Sequence, residues 1–182
     1  MMVAGPAGPL TLSIPVVGGR SIQLPYSQVM IDHRSNWQRD HCRTLVSVYG
    51  RSPFFFHYRP ELEALFEGDH PTLFSWNLAC LTWVISKMKV KEKIQFLENC
   101  PPIENVPNSK DLTDYFLPKN HHSPEKGPFP VYPQVFEDRT GFLPNLSMLD
   151  LLFNLGPESA RKIAVLQLNS LDNQWSKFTK DV

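Results

Sequence analysis

The sequence predicts an α/β fold: a small mixed sheet packed with helices, a helical C-terminal half, and one proline-rich loop region. Three observations carry this. Residues 10–17 alternate apolar and polar side chains with the period of a half-buried strand. Residues 26–52, 72–100 and 158–182 contain no proline and leave room for helices, with apolar side chains recurring at helical spacing. Finally, 17 of the 182 residues are proline, near twice the usual share of about 5%. Proline fixes φ and lacks an N–H, so the chain cannot be a long coiled coil or a simple helical bundle. The length suits one domain over 1–182.

The elements follow in order. Residues 1–9 show no periodicity. Residues 10–17 read as a strand with Leu10, Leu12 and Ile14 on one face, and Gly18-Gly19-Arg20 turns the chain. Residues 28–32 form a second, shorter strand, and a hairpin with the first is open although the connection through Pro25 is long. Ser35-Asn36-Trp37-Gln38 has the form of a capping box with Ser35 as N-cap. The helix behind it runs to about Tyr49: Trp37, His41, Leu45 and Tyr49 recur every four residues, Cys42, Val46 and Val48 widen the stripe, and Gly50 and Pro53 close it. Pro60 suits the first turn of a short helix over 60–67. A further helix over 72–88 follows Pro71, with Leu73, Trp76, Asn77, Cys80, Leu81 and Val84 inward and lysines at its C-terminal end, where cations suit the dipole. Residues 93–98 are a third strand, expected to share one small sheet with the other two. Eight prolines fall between Pro101 and Pro133, and residues 99–131 read as loop with a short helical turn at 111–116. Residues 147–154 form a compact helix closed by Gly156 and Pro157; residues 158–168 are the last clear helix, and 170–182 a polar tail.

Composition removes several classes of function. Eighteen Lys and Arg balance eighteen Asp and Glu without a basic run, which argues against a nucleic-acid binder. Cys42, Cys80 and Cys100 are scattered and make no CxxC, so neither a zinc ribbon nor a disulfide framework is expected, and a reducing cytoplasm is. No secretory signal and no apolar run of membrane-spanning length stands in the sequence. Gly5, Gly8, Gly18 and Gly19 lack the spacing of a phosphate loop. His121-His122 has no carboxylate or thiol at ligand spacing, so no metal site is expected.

A few residues stand out for chemistry. His41 lies on an apolar stripe, either as a buried, satisfied histidine or as a base on a pocket wall. The aromatic segment 49–58 offers Arg51 as an anion anchor and Tyr58 as a pocket rim, while Phe54, Phe55 and Phe56 read as a plug in the core. Asn77, inside an apolar helix, either positions a substrate or bonds backbone near Phe54. Ser147, Asp150 and Asn154 share one helix face at i, i+3 and i+7. In a helix buried all round, Asp150 is a general base or a hydroxyl-binding carboxylate; in an amphipathic one it belongs to a solvated stripe.

Several segments in a fixed order carry a family resemblance. They are Leu12-Ser-Ile-Pro15-Val, then Ile31-Asp32 with Trp37-Gln-Arg39-x-His41, then Tyr49-x-x-Ser52-Pro53-Phe54-Phe55-x-x-Tyr58, and the helix with Asn77. Tyr132-x-Gln134-Val-Phe follows, with Phe142-x-Pro144-Asn145-Leu-Ser147-x-Leu-Asp150-Leu-Leu-Phe153-Asn154-x-Gly156-Pro157-Glu158. The chain thereby resembles the WbqC-like family of bacterial proteins from about Leu10 to Ala160, thinly across the proline-rich stretch. The resemblance implies a cytoplasmic role in surface-polysaccharide (O-antigen) biosynthesis, with a sugar or sugar nucleotide as small-molecule partner. An acyl- or aminoacyl-type transfer to an amino sugar is the reaction it suggests. It also implies that a family segment of several dozen residues, with the opening β-α-β unit, is absent before Leu10. Under this reading His41 and Asp150 are the catalytic pair. Arg51, Tyr58, Asn77, Tyr132, Gln134, Asn145, Ser147 and Asn154 bind substrate. The pairing requires His41 and Asp150 to meet, directly or through one water, at a shared cavity. The competing reading is a non-catalytic accessory or ligand-binding module of the same pathway.

Overall fold

The structure, a computed structural model, describes residues 1–19, 23–89 and 129–164. Within them the α/β class holds, with one two-stranded antiparallel sheet against which helices pack. The strands are β1 (Met2–Gly5) and β2 (Gly8–Thr11), joined by the two-residue turn Pro6-Ala7. Their register pairs Val3 with Leu10, Ala4 with Pro9 and Gly5 with Gly8. The N–H of Leu12 donates to Met1 O at 2.8 Å, so Val3 and Gly5 are also hydrogen-bonded positions, while Met2 and Ala4 turn their polar groups away from β2. Pro9 therefore occupies a position where a missing N–H costs no ladder bond. The outward edge of β1 is closed by other parts of the chain. Ser147 N donates to Met2 O at 2.8 Å, and Ala4 N donates to the Tyr49 hydroxyl at 3.3 Å.

β1 is a correction to the sequence reading, which found no element in residues 1–9. Val3 and Ala4 are at most 1% exposed; a strand buried on both faces has no reason to alternate. The strand expected over 10–17 leaves the ladder after Thr11 and returns as a single bridge, Val16 to Ile31. The one expected over 28–32 lies antiparallel between 15–17 and 71–73. Asp32 N donates to Pro15 O (2.9 Å), and Ile31 N to Pro71 O (3.0 Å). Pro15 and Pro71 contribute carbonyls but no N–H groups, so neither bridge grows into a full ladder. The expected strand over 93–98, the helical turn at 111–116, His121-His122 and the tail lie outside the described residues.

Helix α1 (Trp37–Tyr49) buries Trp37, His41, Leu45, Val48 and Tyr49, the stripe its spacing predicts. The capping box does not form. Asn36 is the N-cap without a side-chain cap bond, and the Gln38 amide donates instead to Phe66 O at 2.8 Å. There it satisfies a carbonyl that the end of the next helix leaves open. That helix, α2 (Phe55–Glu67), begins five residues before Pro60 rather than at it. Pro60 withholds an N–H from the carbonyl of Phe56, but both residues are exposed and water can serve that carbonyl. Phe55, Tyr58, Leu62 and Phe66 make the buried stripe of α2, whereas Phe56 is 65% exposed and plugs nothing.

Helix α3 (Leu73–Lys87) starts at Thr72, whose Oγ1 accepts from Ser75 N at 3.0 Å while Thr72 N donates to Ser75 Oγ at 3.2 Å. This reciprocal cap holds the start expected after Pro71. Its inward set is narrower than expected: Trp76 is buried, whereas Asn77 and Leu81 are exposed. Lys87 pairs with Glu61 of α2, which also accepts from Trp83 Nε1 at 3.2 Å. A short α4 (Glu137–Thr140) leads to α5 (Met148–Leu155), capped by Ser147; residues 159–164 are again helical. Leu45, Tyr49, Phe55, Leu152 and Phe153 form the centre of the core, with the Phe153 ring 5.1 Å from both Tyr49 and Phe55. The chain leaves α5 through Gly156 at φ +55°, where an added Cβ would stand 2.5 Å from the Phe54 ring. Phe54 N also donates to Phe153 O at 3.0 Å, so only glycine lets this corner close. No helix among the described residues is long and apolar enough to cross a membrane.

Candidate functional site

The site begins with a cavity of about 310 Å³ bounded by α1, α2, α3 and the start of α5. Leu12, Ile14, Leu62, Phe66, Trp76 and Val84 are among its walls, and no Asp, Glu, Lys or Arg of the described residues lines it. Its polar side chains are His41, Asn77 and Ser147, besides the thiol of Cys80, and Met1 brings the N-terminal ammonium, which donates to Leu12 O at 2.7 Å. An apolar cleft with few polar groups is the usual form of a small-molecule site.

His41 reaches this wall because α1 turns its apolar stripe inward. The imidazole stands edge-on to Trp37 (5.3 Å) and Phe66 (6.4 Å). Burial, with the N-terminal ammonium adding to it, lowers its pKa below the ordinary 6.5; a Ser13 backbone hydrogen bond and Asp40 act the other way. The ring is thus uncharged at neutral pH. A backbone contact that favours the protonated ring is one to a carbonyl, so one ring nitrogen carries its proton towards Ser13 and the other presents a lone pair.

Asp150 belongs to a second, closed cluster. It is 0% exposed. Tyr49 Oη donates to its Oδ2 at 2.7 Å, and Asn154 Nδ2 donates to its Oδ1 at 3.3 Å and to its carbonyl at 2.8 Å. The Tyr132 hydroxyl and the Ala4 N–H add to the donors that favour the charged carboxylate. Burial raises the Asp150 pKa while these donors pull it back down. Burial likewise raises Tyr49 and Tyr132, which keep their protons and remain donors. Both carboxylate oxygens thus have a donor within the protein.

The expected catalytic pair is therefore not assembled. His41 faces the cavity and Ser13; Asp150 faces Tyr49, Tyr132, Asn154 and Ala4, and neither bonds to the other. Ser147, Met148 and Leu149, where the chain enters α5, line the cavity, while Asp150 in the same turn is bonded to α1 through the Tyr49 hydroxyl. The other expected residues divide similarly. Ser147 lines the cavity and caps α5, accepting from Leu149 N at 3.3 Å. Asn77 lies on the cavity rim, exposed, and donates to the Tyr26 hydroxyl, not to backbone near Phe54. Tyr58 is buried, with the Phe153 ring at 6.5 Å and the Trp83 ring at 6.3 Å, and is a core residue more than a rim. Arg51 is exposed and makes no ion pair among the described residues. Gln134 turns both ends of its amide to the backbone of one residue, donating to Leu143 O at 2.9 Å and accepting from Leu143 N at 2.8 Å. It is spent on the fold. Asn145 is half-buried in the left-handed region at φ +57°, which suits the turn into α5.

Sequence reasoning missed Tyr49 as a donor, Trp83 as a wall, and Ser13 as the partner of His41. The i, i+7 spacing of Trp76 and Trp83 on α3 was a legible signal for the wall; the backbone of Ser13 leaves none. A second cleft of about 410 Å³ between α1 and α2 is polar, lined by Arg39, Arg43, Glu63 and Glu67 among others. Arg59 already holds Glu63 there at 2.8 Å. No group of three or more His, Cys, Asp or Glu able to hold a metal ion occurs among the described residues.

The model of the WbqC-like protein family matches residues 2–115. The match includes His41, Arg51, Tyr58 and Asn77 and ends before the segment that carries Tyr132, Gln134, Asn145, Ser147, Asp150 and Asn154. No curated protein and no solved structure matches the chain.

Proposed function

The chain belongs to the WbqC-like protein family, and from that membership we propose a transferase or modifying enzyme of bacterial surface-polysaccharide (O-antigen) biosynthesis, cytoplasmic and acting on an amino sugar or sugar nucleotide. The observation that carries the enzymatic part is His41. An imidazole that burial keeps uncharged, with the Ser13 backbone as hydrogen-bond partner, stands on the wall of an apolar cavity. That is the state a general base needs in order to accept a proton from an attacking hydroxyl or amine. Ser147, on the same wall, offers a hydroxyl to a polar group of the substrate. Asp150 is a positioning residue in this reading. It ties α5, and with it the wall from Ser147 to Leu149, to α1, which carries His41.

The test is competition binding of a nucleotide-sugar panel to the full chain, with His41→Ala alongside. Saturable binding of one member, kept in His41→Ala while pathway output is lost, supports the enzyme. No binding by any member overturns it.

One observation favours the accessory module instead: the carboxylate that would serve His41 is engaged elsewhere. In that case His41→Ala and Asp150→Asn both leave pathway output unchanged.

A further inference from the structure

The walls of the His41 cavity say what part of a ligand they can take. They are aliphatic and aromatic on α2 and α3, and the one charged group among the described lining residues is the Met1 ammonium, which donates to Leu12 O at 2.7 Å. A charged group placed against the α2 and α3 walls would lose its hydration without a counter-ion. A free amine, which the Met1 ammonium would repel, is a poor occupant, and so is the sugar ring, whose hydroxyls would find three polar side chains. The volume, about 310 Å³, is large for a packing defect: an apolar cavity of about 150 Å³ accepts a benzene ring. By that scale it accommodates a chain of roughly eight to ten carbons. The polar groups suit one end of such a chain. No acceptor among the described residues takes the Ser147 hydroxyl proton, so it can donate to a carbonyl, while His41 presents a lone pair to an N–H or O–H beside it.

We propose that this cavity holds an uncharged, medium-length acyl chain, presented as a neutral ester, thioester or amide with its carbonyl at Ser147. The inference names the apolar group bound at the site of the proposed function and rests on that reading only for the site's identity. Binding of the chain requires no transfer step, so it can be tested without the acceptor.

Trp76 and Trp83 stand in the wall and report occupancy by their fluorescence. The probes are neutral acyl-N-acetylcysteamine thioesters, from acetyl through butyryl, octanoyl and dodecanoyl to palmitoyl, titrated into the full chain. Affinity is expected to rise about fourfold per added methylene as far as octanoyl and to fall for palmitoyl. Cys80→Phe fills the cavity from α3 and should abolish octanoyl binding. Leu81→Phe narrows it from a rim position that is 49% exposed, so that variant folds even where Cys80→Phe does not, and it should weaken octanoyl at least tenfold. Affinity independent of chain length, octanoyl binding undiminished in Leu81→Phe, or no binding by any probe overturns the proposal. Nucleotide-sugar binding that persists after such a failure leaves the proposed function standing, and acyl binding without nucleotide-sugar binding does the reverse.

Discussion

The hydroxyl of Tyr49 donates to the carboxylate of Asp150 at 2.7 Å across 101 positions of sequence, with both side chains buried. One bond thereby joins the C-terminal end of α1 to the first turn of α5. The same two helices supply His41 and the Ser147–Leu149 wall of the cavity. The relative placement of His41 and this wall thus depends on a contact that touches neither of them.

Replacing Asp150 tests that dependence. Asp150→Ala leaves the buried Tyr49 hydroxyl without its acceptor, takes away the carboxylate that Tyr132 favours, and removes the Oδ1 partner of Asn154, whose amide keeps the backbone carbonyl. Buried donors left unpaired cost about 1–3 kcal/mol each, and relaxation brings the expected loss to about 3 kcal/mol. Asp150→Asn keeps one acceptor oxygen and removes the buried charge, so it should cost about 1 kcal/mol or less. Urea unfolding of the two variants should show that order; equal losses would contradict it.

The pH dependence has two components of opposite sign. His41 has a folded pKa below its unfolded value of 6.5. Its contribution is fully present above that value and is lost as pH falls towards the folded one, because the unfolded chain takes up the proton first. Asp150 has a folded pKa above its unfolded 3.8. It favours the folded state below that value and loses this as pH rises through the folded one. Unfolding at pH 7.5 and 5.5 should therefore show wild-type stability falling on acidification and His41→Phe falling less. Asp150→Asn should remove the loss that sets in as pH rises from about 4.

Gly156 and Gly141 both have positive φ, but only Gly156 lies against a ring. Gly156→Ala meets the Phe54 side chain at 2.5 Å in addition to the left-handed backbone, with an expected cost of about 3 kcal/mol. Gly141→Ala, with nothing within 4 Å, should cost about 1 kcal/mol. Thermal melts of the pair measure the difference.

Gln38 and Ser35 reverse the roles a capping box would assign them. Gln38→Ala removes the bond to Phe66 O and should cost about 1 kcal/mol. Ser35→Ala should stay within about 0.5 kcal/mol, because Asn36 is the N-cap. A larger effect at Ser35 would restore the capping box.

Periodicity determined what is local in this protein. The stripe Trp37, His41, Leu45, Tyr49 is buried as its spacing requires, and Thr72 and Ser147 begin their helices. A helix repeat and a cap are properties of neighbouring residues, so they are written within a few positions of one another. Ordered motifs from Leu12 to Asn77 likewise identified the family, which the match over 2–115 bears out. The tertiary structure decided the rest. It put β1 in the core, where a strand buried on both faces shows no alternation. It turned Asn77 outward and spent Gln134 on Leu143. Above all it sent His41 and Asp150 to different partners. Spacing names the face of a helix on which a residue lies, but which neighbour that face meets is set by how helices far apart in sequence pack together.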